Sequence, residues 1–133
     1  MRTRDSARGP VTAVLCGAGL RGRDVYGAYA LRHPGRLRFV AVAEPNEARR
    51  EHFRREHGIP ENRAFLGWRE LLAEGRLARA AVVSTPDAIH YEPARRALEL
   101  GYDLLLEKPI SPDLGQCRAL ASFPLAQGQI AQV

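Results

Sequence analysis

Short apolar runs alternate along the chain with stretches of helical periodicity, the pattern of a parallel sheet with crossover helices. Val11 to Cys16 (VTAVLC) reads as a buried strand closed by the turn Gly17-Ala18-Gly19. A helix from about Arg21 follows, with Val25, Ala28 and Tyr29 sharing one face at i, i+3, i+4, and His33-Pro34-Gly35 stops it. Leu37 to Glu44 (LRFVAVAE) is a second strand, and Pro45-Asn46 opens a charged helix from about Glu47 to His57, ended by Gly58. On that helix Glu51 precedes Arg55 by four residues, a supportive pair for an exposed face. A weak third strand near Arg63 to Phe65 leads into a short helix around Trp68 to Ala73.

Arg79 to Ser84 is a clear fourth strand. His90 to Leu100 is helical, with Ala94, Ala97 and Leu98 inward and Gly101 just past its end. Tyr102 to Leu106 is the fifth strand. Ser111 as N-cap and Pro112 in the first turn start a last helix, which Pro124 breaks. The expected fold is therefore α/β, a doubly wound parallel sheet of the Rossmann type with five to six strands and Val11–Cys16 at its centre. Residues 1–10 read as a disordered tail, 11–123 as the nucleotide-binding domain, and 124–133 as irregular chain or part of a sixth strand.

The chain of 133 residues suits one domain of ordinary size. No apolar run approaches the length of a membrane span, and no apolar segment follows Arg2, Arg4 and Arg8 as a secretory signal requires. Cys16 and Cys117, the only cysteines, fall in a buried strand and a helix, so the expectation is two thiols in a reducing cytoplasm rather than a disulfide. A net charge of +5 raises the question of nucleic acid. The basic residues are nearly all arginine, scattered along the chain without interleaved aromatic platforms, which argues against it. Lys108 is the only lysine.

Gly17-Ala18-Gly19-Leu20-Arg21-Gly22 fits G-x-G-x-x-G between a strand and a helix. In that setting Gly17 permits the turn, Gly19 lets the backbone approach a pyrophosphate, and Gly22 allows close packing of helix on strand. Glu44 closes the second strand, where a carboxylate accepts both hydroxyls of an adenine ribose and repels a 2′-phosphate. NAD is the expected cofactor, with NADP left open by the nearby Arg49 and Arg50. Methyltransferases that bind S-adenosylmethionine share this glycine–acid geometry and stand as a rival reading.

Ser84-Thr85-Pro86-Asp87-Ala88-Ile89-His90 follows the fourth strand and Glu107-Lys108-Pro109 the fifth, both at carboxyl ends where an open parallel sheet binds ligands. With GAGLRG, VAVAE, STPDAIH and LLEKPIS in this order, residues 11–115 resemble the Gfo/Idh/MocA family, the glucose–fructose oxidoreductase and inositol dehydrogenase type. The resemblance implies a Rossmann domain followed by a larger α/β domain that binds a sugar or polyol, and leaves room for a homo-oligomer. It places Leu20 and Arg21, with the glycines, on the cofactor. Thr85, Pro86 and Asp87 would line the nicotinamide side, with His90 at the start of the next helix. Glu107 would touch the nicotinamide ribose, and Lys108 would reach the substrate hydroxyl at the hydride-transfer centre.

The functional expectation is the nucleotide-binding domain of an NAD(P)-dependent oxidoreductase acting on a sugar- or polyol-like CH–OH group. The family pattern continues into a substrate domain, so the sequence reads as a truncated copy, inactive alone; a non-catalytic dinucleotide-binding module is the alternative.

Overall fold

The computed structural model describes residues 9–133, so positions 1–8 of the expected tail lie outside the described residues. The strands are β1 (Val11–Cys16), β2 (Leu37–Ala43), β3 (Ala64–Phe65), β4 (Ala80–Val83), β5 (Asp103–Leu106) and β6 (Ala131–Gln132). They form one sheet in the order β3-β2-β1-β4-β5-β6. All five pairings are parallel. Order reverses between β1 and β4, which makes the carboxyl edge above them the natural ligand crevice.

Strand alternation divides the core into two layers. Ala13 and Leu15 share one face with Phe39 and Val42. They pack against Ala30 of α1 (Arg21–Gly27 continued by Ala28–Arg32) and Phe53 of α2 (Glu47–Glu56). Val14 and Cys16 face the opposite way, with Ala81, Val83, Leu104 and Leu106. There they lie beneath α3 (Trp68–Ala73) and α4 (Tyr91–Glu99), which contribute Leu71, Leu72, Ala94, Ala97 and Leu98. Burial in the apolar interior pushes the Cys16 thiol up to about 12, so it behaves as a small hydrophobe. Cys117 is only half-buried, and both thiols are free.

Helix α1 departs from expectation. It is π-helical over Arg21–Gly27 and α-helical over Ala28–Arg32. Val25 and Tyr29 are each about 40 % exposed, while Gly22, Gly27 and Ala30 are buried. The extra residue in each π turn rotates the inward face from the Val25–Ala28–Tyr29 set onto residues five apart, Gly22 and Gly27. Both must be small. A Cβ on Gly27 would meet the Phe53 ring at 2.9 Å, and one on Gly22 would be driven into the Gly17 carbonyl.

One smaller correction concerns a helix end. The last helix, α5 (Leu114–Ala121), is capped by Asp113, whose Oδ1 accepts from Gly115 N–H at 2.7 Å, rather than by Ser111. Ser111 Oγ instead accepts from Asp113 N–H, and Pro112 thus lies before the helix. On α2 the expected pair of Glu51 with Arg55 is present, at 3.5 Å, and Arg54 joins it at 2.6 Å. Other boundaries fall within a residue or two of those read from periodicity, and Gly101 ends α4 at φ +90°.

Candidate functional site: a cleft on the carboxyl edge

Residues that leave β1, β2, β3 and β4 at their carboxyl ends enclose a cleft of about 590 Å³. Its floor is the glycine turn. Gly17 takes φ +96°, and a Cβ there would sit 2.6 Å from the Ser84 carbonyl oxygen, so both backbone conformation and close approach demand glycine. Ser84 closes the crossing by donating from Oγ to the Gly17 carbonyl at 2.7 Å. Gly19 differs: a Cβ there would meet nothing within 4 Å, yet the residue lines the cleft. Its bareness therefore serves the cleft rather than the protein's own packing.

Glu44 forms the β2 wall. It is 6 % exposed, and its carboxylate is anchored by backbone donors, Oε1 accepting from Ala18 N–H at 3.0 Å and Oε2 from Asn46 N–H at 2.8 Å. An ionised carboxylate offers about four lone-pair sites, so two acceptor positions stay open toward the cleft. Arg50 donates to the Glu44 carbonyl at 2.8 Å and is thereby tied to backbone, whereas Arg49 is exposed on the cleft rim.

The cleft gathers Gly17, Gly19, Leu20, Arg21, Glu44, Thr85 and Pro86 of the residues singled out by sequence. Gly22 lies beneath it as packing. Asp87, His90, Glu107 and Lys108 are not in its lining. Asp87 is exposed in a 3₁₀ turn, Asp87–Ile89. His90 is buried between two loops, its Nδ1 2.5 Å from the Pro109 carbonyl oxygen and its Nε2 2.6 Å from that of Thr85. Glu107 accepts from Arg21, which holds its carboxyl below the usual carboxylate range, aided by the Tyr26 hydroxyl. Lys108 is exposed one residue further on.

A third wall, Leu66, Gly67, Trp68, Arg69 and Glu70, is one that no sequence motif singles out. The Arg69 guanidinium lies 4.4 Å over the Trp68 ring there. A signal exists nonetheless: these residues come directly after β3, and the rule that ligands meet the carboxyl ends of strands applies to a two-residue strand as to a long one.

A bare, positive-φ glycine turn opening a helix, with an anchored carboxylate across from it, fits the diphosphate and ribose of a dinucleotide. A sequence model of the family described as "Oxidoreductase family, NAD-binding Rossmann fold" (GFO_IDH_MocA) matches residues 11–133. The chain belongs to the Gfo/Idh/MocA family. Membership removes the methyltransferase alternative and makes a nicotinamide dinucleotide the cofactor class of this Rossmann domain.

Among Gfo/Idh/MocA relatives, a protein named as a candidate oxidoreductase subunit of UDP-kanosamine synthase from Amycolatopsis mediterranei is 28% identical over 120 residues, 90% of this chain and 32% of its own length. A myo-inositol dehydrogenase from Corynebacterium glutamicum superposes with a TM-score of 0.71 at 28% identity, covering 84% of this chain and 32% of that one. An inositol dehydrogenase homologue from Azotobacter vinelandii complexed with NADH and myo-inositol gives 0.73 at 24% identity, covering 92% and 34%. The chain thus spans about a third of the length of the relatives it matches. Among the described residues no helix is long and apolar enough to cross a membrane, and no cluster of His, Cys, Asp or Glu could hold a metal ion.

Proposed function

We propose that the cleft takes NAD in preference to NADP and that this domain serves a cytoplasmic dehydrogenase of a sugar- or polyol-like CH–OH group. The observation that carries the cofactor choice is Glu44, buried, anchored on two backbone N–H groups, and facing the cleft. A fixed carboxylate with open lone pairs accepts ribose hydroxyls and repels a 2′-phosphate. Arg49 on the rim works in the opposite sense but is exposed, where its charge is screened.

The substrate class draws on the relatives, one crystallised with myo-inositol and another, WlbA from Chromobactrium violaceum, with UDP-GlcNAcA. Bound NAD would accept a hydride from the substrate carbon. Gly17, Gly19, Leu20 and Arg21 would bind its diphosphate, and Glu44 its adenine ribose. Thr85, Pro86 and Asp87 would flank the nicotinamide side, His90 would hold their loop in place, and Glu107 would accept from the nicotinamide ribose. Lys108, at the end of β5, would hold or move the hydroxyl proton at Nζ, which a lysine can do and a guanidinium cannot.

Titration of the 133-residue chain with NADH and with NADPH tests the cofactor choice. NADH binds at least about tenfold tighter, the equivalent of one charge-assisted hydrogen bond. Glu44→Gln, which keeps an acceptor but removes the charge, narrows that ratio. Equal affinities in the unaltered chain would overturn Glu44 as the selector.

A further inference from the structure

Glu107 stands just beyond β5, and three donors reach a single one of its oxygens. Arg21 Nη2 lies 2.8 Å from Oε1, Arg21 Nε 3.2 Å, and the Tyr26 hydroxyl 2.5 Å. Three donors fill Oε1. Among the described residues Oε2 receives no donor, so its lone pairs remain free.

The donors come from the far side of the crevice, 86 and 81 positions earlier in the chain, on the helix that opens with the glycine turn. Their convergence depends on the π-helical turns of Arg21–Gly27. In an α-helix, at about 100° per residue, side chains five positions apart diverge by about 140°. A π turn closes i to i+5 and brings them onto one face. The Arg21 guanidinium accordingly lies 6.0 Å over the Tyr26 ring as both engage Glu107. Arg21 also lines the cleft beside Gly17 and Gly19, so the same side chain touches the dinucleotide site and the β5 carboxylate.

We propose that Arg21 and Tyr26 are positioning residues for Glu107, clamping one carboxylate oxygen from the glycine-turn helix and presenting the other as the acceptor for ribose hydroxyls of the dinucleotide. The proposal rests on the reading that Glu107 meets the nicotinamide ribose. An ordinary surface ion pair is a poor description of the cluster. It would need no tyrosine and no π turn, and the Glu107 side chain is only 13% exposed. Ionisation of Glu107 follows from the clamp. The Arg21 hydrogen bond, then that of Tyr26, holds the carboxyl below its usual range, and the neighbouring His90 acts in the same direction. Lys108, adjacent in the chain, and Asp113, at the far end where it caps α5, are the other charged groups of that loop.

The test measures NADH and ADP binding to the 133-residue chain as a function of pH, with Arg21→Gln, Tyr26→Phe and Glu107→Gln. ADP carries the diphosphate but no nicotinamide ribose, and comparing proteins at equal pH cancels titration of the ligand itself. Glu107→Gln weakens NADH about tenfold and leaves ADP within about twofold. Tyr26→Phe keeps the ring and removes only the hydroxyl. Losing a donor to the carboxylate raises its pKa, so in Tyr26→Phe and Arg21→Gln the acid limb of NADH affinity moves to higher pH. That movement vanishes when Glu107 is already glutamine, and it does not occur with ADP. An acid limb that stays in place in both variants, with Glu107→Gln still weakening NADH, overturns the clamp alone. Unchanged NADH affinity in Glu107→Gln overturns the clamp together with the Glu107 contact on which it rests.

Discussion

The two sides of the sheet's carboxyl edge are built by different means. On the β2 flank, main chain does most of the binding. Gly17 N–H reaches the Ala43 carbonyl, Ala18 and Asn46 donate to Glu44, and Glu44 N–H reaches the Phe65 carbonyl. On the β5 flank, side chains tie separate loops together. His90 spans Thr85 and Pro109, and Arg21 with Tyr26 holds Glu107. Main-chain anchoring uses groups that the parallel pairing of β1, β2 and β3 already sets side by side. Side-chain anchoring depends on the rotation of a whole helix and on the meeting of loops far apart.

The sharpest probe of this contrast is a pair of glycines. Gly22→Ala drives a Cβ into the Gly17 carbonyl of the turn and against Ser84 Oγ at 2.8 Å, the side chain that ties the end of β4 to that turn. It is expected to cost about 3 kcal/mol or more in denaturant unfolding, and dinucleotide binding should go with it. Gly19→Ala meets nothing within 4 Å, so stability stays within about 0.5 kcal/mol while NADH affinity falls at least about tenfold. Equal destabilisation by the two changes would erase the distinction between a packing glycine and a binding glycine.

Next in size is Lys108→Arg, read in residues 1–115 fused to the substrate domain of a relative. Turnover should drop about 100-fold with NADH affinity preserved, because the charge survives and the transferable proton does not. Near-normal turnover would reduce Lys108 to a charge.

The smallest expected effect is that of His90→Ala, which strips the Thr85 and Pro109 carbonyls of their ring partner in a buried place. A loss of about 2 kcal/mol in unfolding is expected. Amide exchange should quicken in the loops after β4 and β5 and stay unchanged at Ala18 and Asn46. Uniform quickening across both flanks would show that they are one cooperative unit after all.

The same contrast explains how much can be read from the amino acids alone. The parallel sheet, the glycine turn and Glu44 are legible because each depends on local chemistry: alternation within a strand, the need for positive φ at Gly17, a carboxylate at a strand end. The inward face of α1 is not legible. Apolar spacing points to Val25, Ala28 and Tyr29, but two glycines with no apolar signal occupy the interface. Tyr26 is hidden for the same reason, since its partner carboxylate is brought near only by the fold. The Leu66–Glu70 wall is hidden because, although the short strand before it is legible, no binding motif marks the loop beyond it.

The π-helical stretch has a bearing on how helical spacing is read along this chain. A turn closed from i to i+5 holds one residue more than the turn closed from i to i+4 that it replaces. Arg21–Gly27 therefore has the form of a helix into which length has been absorbed without a break. Side chains after it face as though their numbering had slipped. Spacing of 3.6 residues per turn, read straight through this helix, therefore separates two side chains that the fold brings together: the arginine that touches the dinucleotide cleft and the tyrosine that backs it.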